Sequence, residues 1–189
     1  MTRAGGLRQK PRGPLMGRGH IGGKPAMKEN PHARRPGEIA LGFDPGETAG
    51  PRLAPVGRIR SDWGPGDCPK NLAQARAAGG GNAGLEIAAP YRPGLDGLET
   101  GQAVWLLYWM DRGRRDLIVQ APHHRPAPCG SFALRSPLRP NPVAMALVRI
   151  TGLEPDQGLI RLDAIDAFDG TPLLDIKPWI ETIDRPPPP

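Results

Sequence analysis

The sequence predicts an all-β domain: an antiparallel barrel, closed or nearly closed, with short helical turns and disordered tails. Three observations carry this. About seven short apolar or alternating segments are separated by Gly/Pro turns, the pattern of sandwiches and barrels. Hardly any stretch shows helical periodicity. The 189 residues include 26 Gly and 25 Pro with 38% apolar content, lean in core and rich in turns. That length is a prior for one domain.

Charge is divided along the chain. Residues 1–37 carry nine Lys/Arg and one Glu, whereas the remainder carries 16 basic and 18 acidic residues. The net charge of +6 is therefore a property of a basic Gly/Pro-rich extension, which attracts RNA non-specifically or is simply a disordered leader, with Met16 and Met27 as rival starts. No apolar run approaches the roughly 18 residues of a membrane span. The N-terminus lacks the apolar core of a signal peptide, which argues against secretion by that route. Cys68 and Cys129 lie far apart without companions at ligand spacing, so neither a disulfide framework nor a metal site is supported and a reduced, cytoplasmic setting is expected.

Residues 1–51 are read as a disordered extension, because apolar side chains are too sparse to offset ordering entropy; only Glu38 to Phe43 is a candidate to pack on the domain. The domain spans 52–184. Leu53 to Arg60 alternates as a half-buried strand, and Ser61 to Lys70 is a loop. Asn71 to Ala78 suits a short helix, capped by Asn71 and ended by Gly79-Gly80-Gly81. Gly84 to Ala88 reads as a strand, and Pro90 to Gly101 as a turn-rich connection with one helical turn at most. Gln102 to Met110, QAVWLLYWM, is the most apolar run and suits a central strand, with Trp105, Tyr108 and Trp109 read as core rather than as a base-stacking surface. A charged turn, Asp111 to Asp116, leads to the strand Leu117 to Gln120. His123 and His124 have no third ligand at suitable spacing, so no metal site is expected there. Gly130 to Leu134, Val143 to Gly152 and Leu159 to Ala167 supply further strands, and residues 185–189 form a Pro-rich tail.

Two stretches hold most of the chemistry. In Gly130 to Ile150 the segment RSPLRPNP, Arg135 to Pro142, interrupts strand-like sequence; its three prolines forbid a helix and a central strand, so Arg135, Arg139 and Asn141 sit on a stiff loop. In Asp166 to Trp179 a turn at Asp169-Gly170-Thr171-Pro172 precedes Leu173 to Pro178, again with charged side chains beside a rigid turn. Polar groups already fixed in place lose little entropy on engaging a ligand.

RSPLRPNP followed by DGTPLLDIKPW resembles the TrmO (TsaA-like) family, and the similarity reaches back to Val56-Gly57-Arg58-Ile59-Arg60-Ser61. The resemblance implies a single-sheeted, usually dimeric β-barrel that uses S-adenosylmethionine to methylate N6 of threonylcarbamoyladenosine beside the tRNA anticodon. It implies tRNA as partner, a homodimer, and neither membrane nor metal. Carried over by position, it implies a cofactor site of Cys68, Pro69, Lys70, Met110, Asp111, Arg135, Met145 and the segment Asp163-Ala164-Ile165-Asp166. Two departures stand out. Pro-Lys-Asn replaces the family's common Pro-Arg-Gln, and Asp111 replaces its common His.

The acceptor nitrogen, conjugated to a carbonyl and to the purine, needs to lose a proton, for which Asp111 and Asp169 are candidate bases. The threonyl carboxylate needs cations, for which Arg139 and Lys177 are candidates, with Asn141 completing the substrate set and the arginines at 112, 114 and 115 as further cations or a solvated turn. Two alternatives are an S-adenosylmethionine-dependent relative with another acceptor and a non-catalytic RNA-binding barrel. The second is disfavoured if the aromatics are buried in an apolar strand.

Overall fold

A computed structural model describes residues 33–50 and 52–188. Of the disordered extension expected over residues 1–51, residues 1–32 and 51 fall outside the described part, while Ile39–Ala40 forms a strand, within the stretch Glu38 to Phe43 that was the candidate to pack on the domain. Nine strands are present among the described residues: β1 Ile39–Ala40, β2 Gly57–Arg60, β3 Gly84–Ile87, β4 Ala103–Trp109, β5 Leu117–Gln120, β6 Cys129–Gly130, β7 Val143–Glu154, β8 Leu159–Leu162 and β9 Pro172–Pro178. Two short α-helices, α1 Leu72–Ala77 and α2 Glu181–Asp184, and three 3-10 segments complete the secondary structure.

The architecture is all-β, and every strand pair is antiparallel. Six strands close on themselves in the order β2-β3-β8-β7-β4-β9. The single-sheet expectation is corrected: β1, β5 and β6 form a separate three-stranded sheet. Its outer strands are two residues each, too short to show alternation in sequence.

Alternation within the long strands fills the barrel. On β4, Val104, Leu106 and Tyr108 point inward and are buried, as are Ile59, Leu85, Val148, Ile160 and Leu173 from the other walls. Helix α1 starts where expected, with the Asn71 side chain accepting the Gln74 N–H at 2.9 Å.

Four expected elements differ. The strand expected over Leu53 to Arg60 begins only at Gly57. The segment Ala89–Leu95 is a seven-residue 3-10 helix, longer than one turn, with Pro93 inside it. The strand expected over Gly130 to Leu134 ends at Gly130, and Ser131–Ala133 forms a 3-10 turn. Ser131 is drawn inside by its hydroxyl, which donates to Leu117 O at 2.9 Å, leaving Phe132 77% exposed. The strand expected over Leu159 to Ala167 stops at Leu162, where the Asp163 side chain takes over the ladder by accepting the Arg149 N–H at 2.7 Å.

That last exchange positions the site. β7 pairs with β4 along Val143 to Arg149 but with β8 only from Ile150 onward, across an irregular register at Ile150–Gly152. Over its first half, then, β7 has one edge that faces no strand.

Candidate functional site

Side chains from three loops converge on that open edge. Arg135, from the proline-stiffened loop, donates to Met145 O at 2.7 Å. Arg76, from α1, donates to Leu147 O at 3.0 Å and to the Asp163 carboxylate at 2.7 Å. In an antiparallel strand the N–H and C=O of one residue point the same way, so the Met145 and Leu147 amides face this seam too. A groove of about 490 Å³, within the usual size for small-molecule sites, lies along it and is lined in part by Leu72, Arg76, Trp105, Arg135, Met145 and Asp163.

Behind the seam lies a tightly coupled polar cluster. Tyr108, 3% exposed, donates to the Asp166 carboxylate at 3.4 Å. Burial first, then the Asp166 charge and hydrogen bond, hold its phenol well above the usual tyrosine range, with Arg135 opposing. Cys68 shares the same field: burial first, then Asp166 and Asp67, push its thiol up to about 11. Cys68, Tyr108, Arg135 and Asp166 therefore sense one another electrostatically.

The segment 163–166 is locked from beneath. Ala164 and Ile165 are fully buried, and Ile165 O accepts the Trp63 indole N–H at 2.8 Å. The glycine run at 79–81 supports it from the far side. A Cβ at Gly80 would lie 2.4 Å from Asp163 O, and at Gly81 it would meet the Trp63 ring, with φ at +82° and +68°. Trp63 was not singled out in the sequence, where the glycine run marks only the end of α1. Three consecutive glycines after a helix end signal positive φ, but the close backbone approach they permit has no local signature.

The remaining expected residues fall in several places. Pro69 and Lys70 sit on the loop before α1, where the Lys70 N–H donates to the Gln74 side chain. Met110 is half-buried against the core and its N–H donates to Pro142 O at 2.9 Å. Asp111 is exposed, and among the described residues its carboxylate makes no hydrogen bond or ion pair. Asp169 is engaged: it accepts the Ser61 N–H at 3.2 Å and lies 3.4 Å from the Arg60 guanidinium. Arg139 donates to Leu134 O at 3.2 Å, and Asn141 accepts from Arg115 at 3.3 Å, so both brace the proline loop. Lys177 pairs with Asp175 at 2.7 Å on the outer face of β9. Arg114 and Asp116 form an ion pair at 2.6 Å; hydrogen bonding to Arg114 holds the Asp116 carboxyl below the usual carboxylate range.

Sequence reasoning missed the device that holds the proline loop. Gln120, 4% exposed, donates to Ser131 Oγ and to Leu138 O. Arg115 donates to Pro140 O at 2.7 Å while its guanidinium lies 5.2 Å from the Trp109 ring centroid. The one available signal was a glutamine ending an otherwise apolar strand.

This is a β-barrel protein with a charged groove beside an open strand edge. The chain belongs to the tRNA-methyltransferase O N-terminal domain family, whose model matches residues 61–185. It is 39% identical over 136 residues to a probable S-adenosyl-L-methionine-binding protein of Archaeoglobus fulgidus, covering 70% of this chain and 35% of that protein. It is 38% identical over 95 residues to a mouse tRNA (adenine(37)-N6)-methyltransferase, covering 49% of this chain and 22% of that one. A crystal structure of TrmO from Pseudomonas aeruginosa superposes with a TM-score of 0.55 at 32% identity, covering 72% of this chain and 59% of that chain. The chain thus spans about a third of the Archaeoglobus relative and well under two thirds of the solved TrmO chain.

Proposed function

We propose that the seam between β7 and residues 163–166 binds S-adenosylmethionine, and that the protein transfers its methyl group to tRNA. The finer reading is N6 of threonylcarbamoyladenosine next to the anticodon. The observation that carries it is the convergence of Arg76, Arg135 and Asp163 on an open strand edge, with Asp166 behind it.

The donor set suits the cofactor. Its carboxylate calls for a fixed guanidinium, which Arg135 supplies; its ammonium calls for an acid, which Asp166 supplies. Peptide groups of Asp163, Ala164 and Ile165, and of β7, can read a flat heterocycle, with Met145 as apolar neighbour. The reading also takes Cys68, Pro69, Lys70, Met110 and Asp111 into the cofactor site. When bound, the cofactor supplies a methyl carbon activated by a positive sulfur. The chain's part is then alignment, which is worth several kcal/mol in a displacement of this kind, and removal of one acceptor proton. For that proton Asp111 is favoured over Asp169, because its oxygens are open to a ligand while those of Asp169 already serve Ser61 and Arg60. Arg139, Asn141 and Lys177 remain the proposed substrate contacts, with Arg139 and Asn141 acting first on loop shape. The reading includes a cytoplasmic homodimer, for which exposed Phe132 and Ile183 supply apolar surface; among the described residues no helix is long and apolar enough to cross a membrane.

Calorimetric titration with S-adenosylmethionine and S-adenosylhomocysteine tests the cofactor site. Arg135 is exposed and its bond to Met145 O is replaceable by water, so Arg135→Ala is expected to leave the thermal midpoint in place. Loss of one charge-assisted pair, about 1.5–3 kcal/mol, should weaken binding roughly 10- to 100-fold. A wild-type chain that binds neither compound would overturn the reading. Methyl transfer to tRNA bearing threonylcarbamoyladenosine then tests the acceptor. Binding without transfer would favour a relative with a different acceptor, the reading that Asp111 in place of the family's common His supports.

A further inference from the structure

We propose that the outer face of β4 is a nucleobase platform, with Trp105 as its stacking surface and Arg149 as its phosphate contact. The proposal rests on the tRNA reading and names the surface that would engage the RNA strand.

Trp105 was expected in the core, and the register places it outside. With Val104 and Leu106 filling the barrel, Trp105 faces outward, half-buried, and lines the groove. It pairs in register with Leu147 on β7 and with Lys177 on β9, while Ala103 beside it pairs with Arg149. Lys177 is paired with Asp175, whereas Arg149 is not paired with an acid among the described residues; an outward tryptophan beside such a cation is the arrangement by which single-stranded nucleic acids are held.

Charge accounting points the same way. The groove brings Arg76, Arg135 and Arg149 together with one acid, Asp163. Asp163 is already paired with Arg76. A ligand with a single carboxylate engages one guanidinium, Arg135. The Arg149 side chain donates only to a neutral carbonyl, that of Gly101, so its charge has no acidic partner among the described residues. The excess is local, since residues 38–189 carry more acid than base. A polyanion is the ligand that uses it. A second copy of this chain is the rival occupant of an apolar face, but a two-fold interface would set this cationic patch against itself.

The test uses the full chain and an unmodified 17-nucleotide anticodon stem-loop RNA, with binding followed by fluorescence anisotropy across a salt series. Trp105→Leu should weaken RNA binding about tenfold, and Trp105→Phe, which keeps a ring, should restore most of it. Arg149→Gln should weaken binding and lower the slope of log K against log salt by about 0.7–0.9. The thermal midpoint of Arg149→Gln should stay in place, because the side chain is exposed on the outer wall. Variants that bind RNA as the wild type does would overturn the platform and leave the tRNA reading standing. Wild-type protein that binds no RNA would overturn both. A wild-type dimer that Trp105→Leu dissociates in sedimentation would overturn the platform by showing that a second copy covers the face.

Discussion

At the scale of single residues, the polar cluster behind the seam combines groups whose protonation matters. The Cys68 thiol is raised to about 11 by burial and by the charges of Asp166 and Asp67. A thiolate beside an electrophilic methyl group would compete with the acceptor, and this environment keeps the sulfur protonated at neutral pH. The sign of the linkage follows: a folded pKa above the unfolded value contributes stability that is complete below about pH 9 and is lost as pH climbs through about 11. Iodoacetamide labelling of Cys68, followed by peptide mapping, should therefore rise with pH around a midpoint near 11, not near 9. A midpoint near 9 would mean that neither burial nor the charges of Asp166 and Asp67 act on the thiol. The exposed Asp111 is the other residue whose protonation matters. Asp111→Asn should lower kcat at least tenfold at saturating cofactor, the pattern of a lost base; unaltered kcat would leave alignment as the whole of the chemistry.

At the scale of elements, the proline loop illustrates what a sequence conveys and what it withholds. Three prolines make stiffness legible. Which way the loop faces is set by Gln120, Ser131 and Leu138 O, a buried network assembled from three separate segments. No local pattern reveals such a network, because each member alone is an ordinary polar residue and the partners are up to 18 residues apart. Helix α1 lies at the opposite extreme: Asn71 and the glycine run fix its two ends within a few residues. Gln120→Leu should cost about 1–3 kcal/mol, since Ser131 Oγ and Leu138 O would keep their burial and lose a donor. The denaturant midpoint reads that loss directly. Because the network carries the loop that presents Arg135, cofactor affinity should fall with it. If the midpoint falls and affinity does not, Arg135 is held by Arg139 and Arg115 alone.

At the scale of the whole molecule, the closed antiparallel circuit was legible because β4, β7 and β9 carry either period-two alternation or flanking turn residues. The second sheet was not, since β1 and β6 are two residues long. Nor was the outward setting of Trp105, because a strand apolar on both faces gives alternation nothing to distinguish. Charge, by contrast, is legible without any structure. Residues 1–32 hold seven Lys/Arg and one Glu, as large an excess of positive charge as the entire chain's net +6. If the barrel alone selects the RNA, those residues act only through counterion release, a sequence-independent term that falls with salt. A variant lacking residues 1–32 should then bind the anticodon stem-loop more weakly at low salt, with a flatter slope of log K against log salt. It should converge on the full chain at high salt and bind S-adenosylmethionine equally well. An affinity gap that persists undiminished at high salt would contradict a purely electrostatic role and assign these residues direct contacts with the RNA.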